Sequence, residues 1–185
     1  MNYSDYKKSR NAAWQILIDC EVSELPVKPT EICQRLGIEV RMYEPEKNAS
    51  GVSMIIDDKP VIFINKNDSN ARKRFTCAHE LWHIINGDVG KYELVNREPS
   101  LSDNPIEQAA NVFASRLLAP ACVLWGVEVK SAEDISKLCD ISMSAAIYRF
   151  ERMKVLLKRD MFLTSPLERK LYNQFKEYID KNKIL

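Results

Sequence analysis

Histidine is almost absent from this sequence. There are two among 185 residues, His79 and His83. Chemistry that needs imidazole, whether metal ligation or proton transfer, is therefore confined to one place. Long apolar runs are missing too, and none approaches the roughly 18 residues that a membrane-crossing helix needs. Residues 1–10 are polar and charged and lack the apolar stretch of a secretory signal. The expectation is a soluble, cytoplasmic protein with no membrane contact. The cysteines Cys20, Cys33, Cys77, Cys122 and Cys139 are odd in number and widely spaced, with no CxxC. That pattern argues against a disulfide framework and against a thiolate zinc site, and fits reduced thiols. Internal repeats and low-complexity segments are absent.

Excess charge is also lacking. The net charge is +1, so bulk electrostatics select no class of partner. Residues 1–119 carry 15 Lys and Arg against 17 Asp and Glu, a net of −2, and residues 120–185 carry 12 against 9, a net of +3. An excess of +3 is too small to argue nucleic-acid binding.

What is present suits one domain with a helical appendage. Apolar residues make up 45%, enough for a core at this length. Helical spacing predicts a helix over 3–20. A turn at Pro26 and a short helix over 30–36 follow, the latter with Thr30 as candidate N-cap and Gly37 as stop. Residues 38–43, 51–56 and 60–65 read as strands, with Asp57-Asp58-Lys59 as a hairpin turn. Helices are expected over 69–86 and from Asn104-Pro105 to Leu118, with a loop over 88–104 between them. Residues 131–138, 142–157 and 166–184 are helical in pattern. The fold class is α+β: a small antiparallel sheet packed on helices in residues 1–120, and a helical region in 121–185.

Both histidines fall in Arg74-Phe75-Thr76-Cys77-Ala78-His79-Glu80-Leu81-Trp82-His83. Four residues apart on a helix, they share one face at successive turns. Two imidazoles so stacked can reach one metal ion. Glu80, about 100° round from His79, can lie beside the metal without ligating it and can shuttle a proton to or from water. This is the mechanics of the HExxH pattern. Phe75, Ala78, Trp82 and Ile85 form an apolar stripe that would bury the helix. The bland alternative, two surface or hydrogen-bonded core histidines, suits a lone histidine better than this pair.

Catalytic zinc takes three protein ligands, and no third histidine exists. Cys77 lies off the histidine face. The third ligand should be a carboxylate, from Asp88, Glu93, Glu98, Asp103 or Glu107. Glu107 sits at the edge of an apolar helix face, where a carboxylate needs a partner. With Asn104 as N-cap it also occupies the position of a capping-box glutamate. Local sequence leaves the two roles balanced, and the need for a third ligand favours the metal.

The segments RFTCAHELWH (74–83) and EQAANVFASRLLAP (107–120) resemble the ImmA/IrrE family of zinc metallopeptidases across residues 5–120. The resemblance implies a gluzincin-like layout holding one zinc ion per chain. His79, His83 and Glu107 would be its ligands and Glu80 the catalytic acid/base. It also implies a cytoplasmic, site-specific endopeptidase. Members of the ImmA type lie on phages and other mobile elements, act as anti-repressors, and cleave a helix-turn-helix transcriptional repressor. The compact size here is more like that type.

Residues 132–150 have a helix-turn-helix cadence. They could bind DNA or dock a repressor. Two packed helices are preferred, because Arg149 and Arg152 are the only basic residues on the presumed second helix before Lys154. The alternative to an enzyme is thus a non-catalytic zinc-containing regulator that binds DNA or a repressor through these helices. Tyr92, Tyr148, Arg72 and Arg116 are candidates to stabilise an oxyanion. Neither the substrate nor the oligomeric state is encoded legibly.

Overall fold

The structure is a computed structural model that describes residues 2–45, 49–89 and 104–184. The chain divides into two compact units, one of residues up to Ser9 with Lys28–Ala114, the other of Arg10–Val27 with Ser115–Leu185. Two of the three divisions fall inside helix α1 (Tyr3–Asp19) and helix α4 (Pro105–Leu118), and the third between Val27 and Lys28.

The first unit carries α2 (Pro29–Arg35), β1 (Glu39–Tyr43), β2 (Gly51–Ile56), β3 (Lys59–Asn65) and α3 (Asn70–Ile85). The α+β class is as expected. The sheet, however, is mixed rather than wholly antiparallel, with strand order β1-β3-β2. Composition explains the order. Val61, Ile62 and Ile64 of β3 are all buried, on both faces of the strand, so β3 belongs in the middle. Asp57 and Asp58 both have positive φ, as a two-residue type I′ turn requires, and the turn makes β2 antiparallel to β3. β1 then takes the other edge of β3 and runs parallel to it, pairing Glu39 with Val61 and Tyr43 with Asn65.

Gly51 opens β2 directly against α3. A Cβ there would overlap Thr76 Cγ2 and sit 2.8 Å from the Phe63 carbonyl oxygen. The strand can approach the helix this closely because Gly51 has no side chain. In α2 the N-cap is Lys28, followed by Pro29, rather than Thr30. Proline's fixed φ suits the first helical position, which moves the cap two residues back.

α3 is the axis of the unit. Ser69 Oγ accepts from the Arg72 N–H at its start. One face of α3, with Cys77, Ala78, Leu81 and Trp82, is buried. Trp82 packs its ring 5.3 Å from that of Phe113 on α4. At the C-terminus Gly87 adopts φ +71°. Its N–H bonds to the Ile84 carbonyl at 3.1 Å, and the Asp88 N–H bonds to the His83 carbonyl at 2.9 Å. This is a Schellman turn, and it requires a residue that tolerates the left-handed region.

The second unit carries α5 (Ala121–Gly126), α6 (Ala132–Cys139), α7 (Met143–Lys158), α8 (Pro166–Gln174) and α9 (Lys176–Lys181). The helix expected over 166–184 is two, broken at the buried Phe175. Gln174 donates to the carbonyls of Leu17 (2.8 Å) and Val22 (2.7 Å), fixing the turn after α1. α6 opens on a capping box between Ser131 and Asp134 and closes on Asp140 in the left-handed region. α7 buries Ala146, Arg149 and Met153 and exposes Met143, Ile147 and Tyr148. The stretch Pro105–Gly126 passes the length and composition test for a membrane helix. It is interrupted at Pro120, the N-cap of α5, and its most apolar window is 72% buried, as in a core helix.

Candidate metal centre

His79 and His83 occupy successive turns of α3, and α4 brings Glu107 to them. His79 Nε2 lies 3.0 Å from Glu107 Oε2 and 3.2 Å from His83 Nε2. His83 Nε2 lies 3.5 Å from Glu107 Oε1. His83 is fully buried, while His79 and Glu107 are partly exposed. The three side chains thus close a triangle whose one accessible side carries His79 and Glu107. Their ligand atoms all lie within 4.8 Å of one another.

The outer nitrogens show which atoms are available. His79 Nδ1 is 3.0 Å from Asn111 Oδ1. His83 Nδ1 is 3.1 Å from Asp88 Oδ2. Both partners can accept, so with a metal ion bound each Nδ1 can carry the hydrogen and leave the Nε2 lone pair to the ion. Without one, the two Nε2 atoms and the Glu107 oxygens, 3.0–3.5 Å apart, need protons between them, and the imidazoles donate to the carboxylate. Hydrogen bonds from His79, and next from His83, hold the Glu107 carboxyl well below the usual carboxylate range. Glu107 is therefore an anion facing two imidazoles, a donor set suited to a small divalent cation.

Asn104 Oδ1 accepts from the Ile106 N–H at 2.9 Å at the start of α4, and the Glu107 carboxylate reaches His79 and His83. Asp88, the other described carboxylate among the candidate ligands, faces Nδ1 of His83, the side away from the triangle. Glu93, Glu98, Asp103 and Tyr92 lie outside the described residues. Cys77 points to Cys33, with sulphurs 3.7 Å apart. That contact and burial push its thiol far up, so it stays protonated and offers no thiolate. All five cysteines are buried and none is in a disulfide.

Glu80 is 3% exposed. Its Oε2 accepts a 2.7 Å hydrogen bond from Ser53 Oγ on β2. Ser53 is itself buried and was not distinguishable in the sequence from any other strand serine. Its position on the sheet face toward α3, two residues after Gly51, is what gives it a role. Asn111 was also missed, although its spacing of one helical turn from Glu107 is a usable signal. Of the candidate oxyanion donors, Arg72 gives its Nε–H to Ser50 Oγ at 3.0 Å. Tyr148 and Arg116 belong to the second unit.

Ser53→Ala should separate holding Glu80 from holding metal. A hydrogen bond to a charged group contributes about 1.5–3 kcal/mol. Its loss should lower kcat/KM about tenfold or more with the bound metal unchanged, as measured by kinetics and metal content on the same sample.

Comparisons with known proteins agree with the geometry. Residues 33–151, more than half the chain, match the Peptidase_M78 family model, described as the IrrE N-terminal-like domain. No curated protein matches. Among solved structures, a chain described as a Mycobacterium tuberculosis transcriptional regulator is similar in fold. It aligns with a TM-score of 0.56 at 15% identity over 77% of this chain. The present chain spans 55% of that chain's length. The match takes in α3, both histidines and Glu107, and so the chain belongs to the ImmA/IrrE metallopeptidase family, whose shared unit is the IrrE N-terminal-like domain.

Proposed function

We propose that this protein is a zinc-dependent, site-specific endopeptidase acting in the cytoplasm on a helix-turn-helix transcriptional repressor of a phage or other mobile element. The observation that carries the reading is the His79–His83–Glu107 triangle with a buried, hydrogen-bonded Glu80 one residue along the same helix. Two imidazole nitrogens and one carboxylate match the three-ligand set of zinc peptidases. A bound zinc ion supplies Lewis acidity, polarising a carbonyl and lowering the pKa of a nearby water.

The residues of the chain do the rest. Asn111 and Asp88 set the tautomers that turn both Nε2 atoms inward. Ser53 holds one oxygen of Glu80, so that the carboxylate is oriented to accept a proton from water. Glu80 can then give that proton to the amine nitrogen as the peptide bond breaks. Burial keeps this transfer away from bulk water.

The protein substrate follows from the family. The repressor is the finer reading, supported by the family resemblance and by a similar fold in a chain described as a transcriptional regulator. The rival reading, a non-catalytic regulator, draws on α6, its turn and α7. On the first turns of α7 the exposed large side chains Met143, Ile147 and Tyr148 are apolar and Arg149 is buried, while the exposed Lys154 and Lys158 lie toward its end. Those first turns suit protein contact better than phosphate contact.

The purified protein should cut a helix-turn-helix repressor encoded beside its gene at one position, stop on chelation and resume on zinc addition. A salt-sensitive DNA gel shift that survives chelation, with no cleavage, would favour the regulator.

A further inference from the structure

The Schellman turn that ends α3 delivers a second carboxylate to the metal triangle from outside. Gly87 in the left-handed region reverses the chain, and Asp88 folds back on the helix. Its Oδ2 meets His83 Nδ1 at 3.1 Å. Its Oδ1 accepts from Asn86 Nδ2 at 2.9 Å, and Lys8 Nζ fixes that amide by donating to Asn86 Oδ1 at 2.8 Å. Asp88 is 8% exposed and His83 fully buried.

Charge makes the arrangement informative. Among the described residues, the side-chain groups bonded to Asp88 are an imidazole and an amide, neither of which is a fixed cation. A buried carboxylate is costly without a positive charge to face. A divalent cation at Nε2 of the same ring would supply that charge through the imidazole. His79 is served differently: its partner is the neutral amide of Asn111, and it is partly exposed.

We infer that Asp88 is a positioning residue of the metal centre. It locks His83 in the Nδ1–H tautomer, strengthens its Nε2 as a donor, and makes His83 the anchoring ligand of the pair. This rests on the proposed metal reading. The segment 83–88, His-Ile-Ile-Asn-Gly-Asp, is then one device: ligand, helix stop and orienting anion.

Zinc affinity of the full chain, measured by competition with a chromophoric chelator, tests it without any activity assay. The wild type should bind one equivalent. Asp88→Ala should bind about 10–100-fold more weakly, the range for outer partners of metal-bound histidine. Asp88→Asn keeps an acceptor oxygen without the charge, so it should recover part of the loss. That conservative rescue is not expected if Asp88 serves only the turn. Asn111→Ala should cost less than Asp88→Ala. Wild-type affinity in Asp88→Ala, or no recovery in Asp88→Asn, would overturn the inference. A wild-type chain that binds no zinc would instead overturn the metal reading beneath it. If Asp88→Ala does not fold, Asp88→Asn decides alone: weaker binding than wild type supports the role and equal binding refutes it.

Discussion

Glu80→Gln is expected to abolish peptide hydrolysis, lowering kcat by about a thousandfold or more, while the protein still binds one equivalent of metal. The change is minimal. Glutamine has the volume of glutamate, and its amide oxygen can still accept from Ser53, whose hydroxyl lies 2.7 Å away. The fit of its side chain beside Gly51 is kept. What disappears is the ability to take up and release a proton, which contributes about 10²–10⁴-fold in general acid–base catalysis. Glu80 is not a member of the ligand triangle, so metal content should not move. Hydrolysis within about tenfold of wild type would remove Glu80 from the mechanism, and loss of metal would make it a ligand.

Glu107→Ala should have the largest effect on metal binding. It removes the one anion among the three ligand atoms and leaves two imidazoles whose Nε2 atoms are 3.2 Å apart. The loss should exceed the roughly 10–100-fold typical of an outer-shell change. Competition with a graded series of chelators would measure it. The Glu107 carboxyl is held below the usual carboxylate range, chiefly by its bond from His79 and next by that from His83, so it stays an anionic ligand through mild acid.

Legibility in the sequence followed the range of the interactions. The HExxH face was readable because helical geometry fixes residues four apart, and α3 runs over Asn70–Ile85 as its caps predict. Glu107 was only half readable. Its sequence position fits a capping box as well as a ligand, and only the placement of α4 against α3 sends its carboxylate to His79. Asp88 was visible as a carboxylate near the histidines, but a ligand and an orienting partner look alike until the Gly87 turn decides which face of His83 it meets. Ser53 was invisible, since its role depends on a strand 27 residues away packing on α3. The sheet was misjudged in one pairing. Local turn residues specify the β2–β3 hairpin, whereas nothing local specifies that β1 lies parallel on the far edge of β3.

Every role proposed for this site depends on which atoms hold the metal. Crystals of the Glu80→Gln protein loaded with zinc, with anomalous scattering collected on both sides of the zinc edge, test this directly. The expected result is a single anomalous peak bonded to Nε2 of His79, Nε2 of His83 and a carboxylate oxygen of Glu107 at about 2.0–2.2 Å, with Asp88 still on Nδ1 of His83. No peak at that position, or a peak bonded to Asp88 in place of Glu107, would contradict it.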